Sequence, residues 1–160
     1  ASPQINPKAL DDLAWEDVQW QIDVQLKGSF FLTKACLGEM IKQRWGRIVN
    51  ITSQAIDGPP SPGWTGYATA KGALRIFSQY MAAELGPHGV TVNCVSPGMC
   101  ETPLIGAIPE KTQLLIARNT PTRRLGMPSD VAASVSYLVS DDSSHITGQS
   151  ILVNGGSVMS

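Results

Sequence analysis

Three short, nearly continuous apolar runs, each preceded by a longer stretch of helical periodicity, constrain this chain more than any other feature. The runs are Ile48-Val49-Asn50-Ile51-Thr52-Ser53, Val90-Thr91-Val92-Asn93-Cys94-Val95 and Ser150-Ile151-Leu152-Val153-Asn154. Strands that alternate apolar and polar residues keep one face in water, whereas strands covered on both faces read as unbroken apolar runs. Between the runs, Val18, Ile22, Leu26 and Phe30, followed by Leu32, Cys36 and Met40, recur at helical spacing. That spacing predicts one long helix over residues 10–44, or two joined near Gly28. Ala70, Leu74, Phe77, Met81 and Leu85 predict a second helix over residues 64–85, stopped by Gly86, Pro87 and Gly89. A third is expected to bury Val131, Val135, Leu138 and Val139, with Ser129 as its N-cap. A short helix over residues 110–118 interrupts the polar, Pro-punctuated stretch at 99–127. The order helix, strand, helix, strand, helix, strand predicts an α/β fold with a parallel sheet, helices on both faces and right-handed crossovers.

At 160 residues the chain is expected to form one domain, residues 1–160. Its net charge is −1, with Lys and Arg scattered, so nothing points to nucleic acid or an anionic membrane as partner. The apolar runs fall far short of the ~20 residues that span a bilayer. No basic-then-apolar leader opens the chain, which makes the cytoplasm the expected location. Cys36, Cys94 and Cys100 form no CxxC pair, and His88 and His145 lie apart from them, so no metal site is expected.

Tyr67 and Lys71 stand four apart near the start of the second helix, which places both side chains on one face. A phenol with a pKa of about 10 is a poor acid or base at neutral pH. An ammonium ~4 Å away, at an effective dielectric of about 20, contributes roughly 4 kcal/mol, enough to bring the phenol towards neutrality. A YxxxK pair alone is a common surface pattern. Here Ser53 closes the first strand at its C-terminal end, where parallel sheets bind ligands, and its hydroxyl can polarise a carbonyl. Pro97-Gly98-Met99-Cys100-Glu101-Thr102 follows the second strand at the same end, offering backbone N–H groups and the Thr102 hydroxyl.

In this order these pieces resemble the short-chain dehydrogenase/reductase family. The resemblance rests on Asn50-Ile51-Thr52-Ser53, Tyr67 with Lys71, Thr91-Val92-Asn93, Ser96-Pro97-Gly98 and Thr102. It continues through Arg124-Leu125-Gly126-Met127-Pro128-Ser129-Asp130-Val131-Ala132 and Ile146-Thr147-Gly148-Gln149 to Val153-Asn154-Gly155-Gly156. It implies a Rossmann-like, doubly wound sheet and hydride transfer between NAD or NADP and a small carbonyl or alcohol substrate. Tyr67 would give or take the hydroxyl proton, Ser53 would hold the substrate oxygen, and Lys71 would lower the Tyr67 pKa and bond the nicotinamide ribose. Pro97, Gly98, the Met99 backbone and Thr102 would meet the carboxamide. The resemblance also implies a homo-oligomer, dimer or tetramer, formed through the two long helices.

Two departures from the family pattern stand out. Gln25, in Asp23-Val24-Gln25-Leu26-Lys27-Gly28, occupies the place of an Asn that helps a water chain reach the lysine. The family's TGxxxGxG turn and its later Asn-Asn-Ala-Gly stretch have no counterpart. The chain opens Ala1-Ser2-Pro3 without Met, so the expectation is the C-terminal two-thirds of the fold, whose isolated form binds NAD or NADP weakly or not at all. A rival expectation is a non-catalytic fragment that serves as an oligomerising or interaction module.

Overall fold

The computed structural model describes residues 5–106 and 108–159; the Ala1-Ser2-Pro3 opening lies outside them. Three parallel strands lie in the order β1 (Gly46–Ile51), β2 (Val90–Pro97), β3 (Ser150–Val153), so each crossover advances one place along the sheet. Gly46 pairs with Val90 through to Ile51 with Val95, and Cys94 pairs with Ser150 through to Pro97 with Val153. As the central strand, β2 is buried from Val90 to Ser96, which is why its sequence does not alternate. β1 borders β2 on one side only, so its other edge is open among the described residues.

Against one face pack α2 (Gly28–Gln43) and α3 (Thr65–Leu85); α5 (Pro128–Val139) packs against the sheet with Leu138 fully buried. The core between α2, α3 and the sheet is Met81, Ala82, Leu85, Val90 and Val92, with Leu37, Met40, Ile48 and Phe77 against it. The expected parallel sheet and helices on it are therefore present, built around β2.

Several boundaries differ from expectation for local reasons. The first helix begins at Trp15 rather than residue 10, because the Asp17 carboxylate accepts from the Ala14 N–H at 3.1 Å and is held by Lys8 at 2.7 Å. α1 (Trp15–Ile22) passes through a π-helical turn, Asp23–Lys27, directly into α2. The join near Gly28 is thus one wide turn, closed by the Gly28 N–H donating to the Asp23 carbonyl five residues back. β1 stops at Ile51, short of Ser53, and β3 stops at Val153, short of Asn154. The N-cap of α5 is Met127, not Ser129: its N–H donates to the Asp130 carboxylate at 2.7 Å, and Pro128 takes the first helical position, where no N–H is needed. The short helix expected at 110–118 is α4 (Glu110–Asn119).

Candidate active site

The start of α3 is set by the segment before it. Pro59, Pro60 and Pro62 cannot continue a helix backwards, and Gly63 takes φ +83, a conformation glycine adopts without a steric penalty. The Lys8 N–H donates to the Gly63 carbonyl at 3.1 Å, tying this loop to the chain's beginning. One turn into the helix, Gly66 lies 3.5 Å by its would-be Cβ from the Val18 Cα, so α1 and α3 approach closely at the level of Tyr67.

From there the buried face of α3 runs Tyr67, Ala70, Lys71, Leu74, Ser78, Met81. Helical periodicity therefore does place Tyr67 and Lys71 together, and it places both inside: Tyr67 is 9% exposed and Lys71 4%. The Tyr67 ring meets Trp64 edge-on at 5.5 Å between centroids. The Lys71 ammonium lies 5.7 Å from the Tyr67 ring centroid and donates to the Ile51 carbonyl at 2.7 Å, at the end of β1. Burial lowers its pKa to about 8, with the Cys94 thiol opposing that shift.

The expectation that Lys71 lowers the Tyr67 pKa is not met. Burial pushes the phenol up, and the nearby Ser53 side chain pulls it part of the way back. Desolvation of the phenolate outweighs an ammonium that is itself desolvated and directed at the Ile51 carbonyl.

Ser53 sits just past β1 with extended backbone, φ −164 and ψ 145, and caps a 3-10 turn, Gln54–Ile56, by accepting from the Ala55 N–H at 3.2 Å. That bond uses a lone pair and leaves the hydroxyl hydrogen free to donate. Ser53, Tyr67 and Lys71 are thus brought to one place at the C-terminal end of β1.

Gln25 lies in the π turn, 6% exposed. Its amide nitrogen donates to Gln21 Oε1 at 2.8 Å, and its own Oε1 is buried with no hydrogen-bond partner. Gln25 and Lys71 line one groove of about 590 Å³, with Ser29, Asn50 and Leu74 among its other walls. The turn after β2 is held differently. The Gly98 N–H donates to the Val153 carbonyl at 3.0 Å, and a Cβ there would stand 2.9 Å from the Asn154 Cβ, so only glycine fits. Met99 accepts from the Gly126 N–H at 2.9 Å, and the Thr102 hydroxyl makes a long 3.4 Å contact to the Cys100 carbonyl. Pro97, Gly98, Met99 and Thr102 therefore follow β2 as the sequence places them, with Met99 facing a second cavity of about 330 Å³ shared with Gln54 and Asn154.

Sequence reasoning missed Trp64, Gln21 and an ion pair between Asp57 and Arg75. Gln21 and Arg75 carried a signal: each stands four residues from a singled-out position, Gln25 or Lys71, on the same helix face. Among the described residues no group of three or more His, Cys, Asp or Glu could hold a metal ion, and no helix is long and apolar enough to cross a membrane.

A family model described as enoyl-(acyl carrier protein) reductase matches residues 2–158. The BbsD subunit of the Thauera aromatica hydroxy(phenyl)methylsuccinyl-CoA dehydrogenase is 43% identical over 148 residues, 92% of this chain and 59% of that protein. The crystal structure of 3-oxoacyl-(acyl-carrier protein) reductase from Brucella melitensis superposes with a TM-score of 0.91 at 34% identity, over 100% of this chain and 60% of that one. Gluconate 5-dehydrogenase from Burkholderia cenocepacia, solved with NADP and tartrate, gives a TM-score of 0.90 at 29% identity, over 98% and 61%. The chain thus spans about three-fifths of the length of these relatives. A match running along nearly all of its residues, joined to close superposition on solved relatives, establishes that the chain belongs to the short-chain dehydrogenase/reductase family.

Proposed function

We propose that this site transfers hydride between NAD or NADP and a small carbonyl/alcohol pair, as the catalytic part of the protein that carries it. The observation that carries this is a buried phenol and a buried ammonium one helical turn apart, with the Ser53 side chain beside the phenol. The relatives are named as a 3-oxoacyl-(acyl-carrier protein) reductase, a hydroxy(phenyl)methylsuccinyl-CoA dehydrogenase subunit and a gluconate 5-dehydrogenase, names that suit a carbonyl/alcohol pair.

The residues present fit a nicotinamide riboside. Among the described residues the Ile51 carbonyl is the one hydrogen-bond partner of Lys71, which leaves two of its three N–H donors for ribose hydroxyls. The Met99 backbone and the Thr102 hydroxyl would meet the carboxamide, on a turn that Pro97 and Gly98 fix. When bound, the nicotinamide supplies or accepts the hydride. In reduction, Ser53 holds the substrate oxygen and its hydrogen bond strengthens as negative charge builds there. Tyr67 gives that oxygen its proton. Lys71, with Gln25 on the same groove, lies on the path by which a proton returns to Tyr67.

The test is Tyr67→Phe in the natural protein, assayed with NADH and NADPH against a panel of small carbonyl compounds. Phe preserves the ring, so circular dichroism should be unchanged while kcat falls about 10²–10⁴-fold, the usual acid/base contribution. A folded variant retaining more than about a tenth of parental kcat lies outside that range and overturns the proposal.

The same reading includes a homo-oligomer, dimer or tetramer, and a cytoplasmic setting, which suits three unpaired thiols. Trp20, Phe31 and Tyr80 on α1, α2 and α3 are 60%, 59% and 69% exposed, a surface that a second copy would cover. A clean monomer by light scattering refutes the oligomer.

A further inference from the structure

Tyr67, Lys71 and Arg75 stand on successive turns of α3, and each faces the segment that leaves β1. Tyr67 lies near Ser53, Lys71 donates to the Ile51 carbonyl, and Arg75 is ion-paired with Asp57. Asp57 is the residue that ends the 3-10 turn Ser53 begins: its N–H donates to the Gln54 carbonyl at 2.9 Å, and the Gly58 N–H donates to the same carbonyl at 3.1 Å. The Asp57 and Arg75 side chains are only 16% and 29% exposed, so the pair is far better shielded than a surface ion pair.

The other Asp57 oxygen receives a long bond, 3.5 Å, from Ser96. Ser96 is fully buried and within 2.6 Å of the Thr52 hydroxyl, the residue before Ser53; Thr52 in turn is fixed to β2 by its N–H donating to the Val95 carbonyl at 2.8 Å. Ser53 is therefore gripped from both sides, at Thr52 by β2 and at Asp57 by α3. The backbone on both sides of Ser53 is thus tied to neighbouring elements.

Resting on the proposed hydride transfer, we infer that Asp57 and Arg75 are positioning residues for the reaction, an ion-pair latch that holds the turn at residues 53–57 against α3 so that the Ser53 hydroxyl meets the substrate oxygen beside Tyr67. Neither touches substrate. Their effect passes through Ser53 alone, which separates them from residues that merely support the fold.

The test is a double-mutant cycle in the natural protein. Asp57→Asn keeps the shape and removes the charge; it should lower kcat at least tenfold while the KM for NADH or NADPH changes little, since the cofactor contacts lie on Lys71 and the turn after β2. Arg75→Gln should match it, and Arg75→Lys, which restores the cation, should recover most of the loss. In a Ser53→Ala background, Asp57→Asn should reduce kcat no further. Amide exchange should show residues 54–58 opening more readily in Asp57→Asn than in the parent, with the core of β2 unchanged. Multiplying effects of Ser53→Ala and Asp57→Asn, or full turnover by Arg75→Gln, overturn the inference. Should Asp57→Asn fail to fold, the Arg75 pair of variants decides it. If the parent turns over no carbonyl compound at all, the proposed function fails, and the exchange of residues 54–58 still reports on the latch.

Discussion

The buried Lys71 ammonium should make the folded protein more stable as pH rises from about 8 to 10.5, and Lys71→Met should abolish that rise. Burial holds the lysine at about 8 in the folded chain against an ordinary 10.5. Below about 8 both folded and unfolded chains carry the proton, and the folded state bears the whole desolvation penalty. Above 10.5 neither carries it. Between these limits the unfolded chain binds a proton that the folded chain has released, so stability increases with pH. Each pH unit in that window is worth about 1.4 kcal/mol, which gives about 3 kcal/mol across it. The absolute stability of Lys71→Met near neutrality is less informative, because the variant also loses the hydrogen bond to the Ile51 carbonyl, worth about 1.5–3 kcal/mol for a charged donor. The pH dependence is untouched by that constant. Urea unfolding of parent and variant, followed by circular dichroism at about pH 7.5, 9 and 10.5, isolates it: other lysines and tyrosines titrate in both proteins and cancel. The stability of the parent relative to the variant should climb by about 3 kcal/mol. A difference that stays flat over this range would show that Lys71 is solvated, and the burial argument would be wrong.

Two further outcomes follow from individual contacts. Gly98→Ala drives a methyl group to 2.9 Å from the Asn154 Cβ and 3.0 Å from its Cα, so it should destabilise the fold by about 1–3 kcal/mol, read by calorimetry; an unchanged Tm would mean that the turn yields freely. Gln25→Asn should sustain parental turnover or exceed it, because both side chains end in the same amide, whereas Gln25→Ala should lower kcat; an alanine variant as fast as the parent removes Gln25 from the proton path.

How much of this was legible in the sequence varies with the kind of signal. The three strands were, because short, largely β-branched apolar runs bounded by Gly, Pro or Ser are too short for helices, and β2 is buried through seven successive residues. The pairing of Tyr67 with Lys71 was legible because helical spacing is rigid. The long first helix and its join near Gly28 were legible too, but not which of its faces is inside. Its apolar residues at 18, 22, 26 and 30 repeat every four, slower than the 3.6 of an α-helix, and the π turn at Asp23–Lys27 supplies a wider turn within that stretch. Its buried side chains are not those apolar residues but Gln21 and Gln25, while Trp20, Phe31 and Leu32 face outward. An apolar-inside rule cannot find a face whose inner residues are amides bonded to each other. Nor could spacing reveal the Asp57–Arg75 pair, since their approach depends on how the turn after β1 folds onto α3. The sign of the Tyr67 shift was hidden for a related reason: charge separation can be estimated from a helix, but burial cannot.

Burial of both groups also bears on how the proposed site was selected. With the phenol pushed up by burial and the ammonium held near 8, both groups carry their protons at neutral pH. Three features of this region are costly to bury: an ammonium 4% exposed, a phenol 9% exposed, and a Gln25 carbonyl oxygen with no partner among the described residues. Such costs are ordinarily scattered singly through a protein, and a buried polar atom without a partner is rare. Here the ammonium and one of the two such oxygens among the described residues, that of Gln25, line one groove, and the phenol stands on the adjacent turn of α3; the other, Thr91 Oγ1, lies on β2. A core selected for stability alone would have filled these positions with aliphatic side chains, as it does at Leu74 and Met81 on the same face of the same helix.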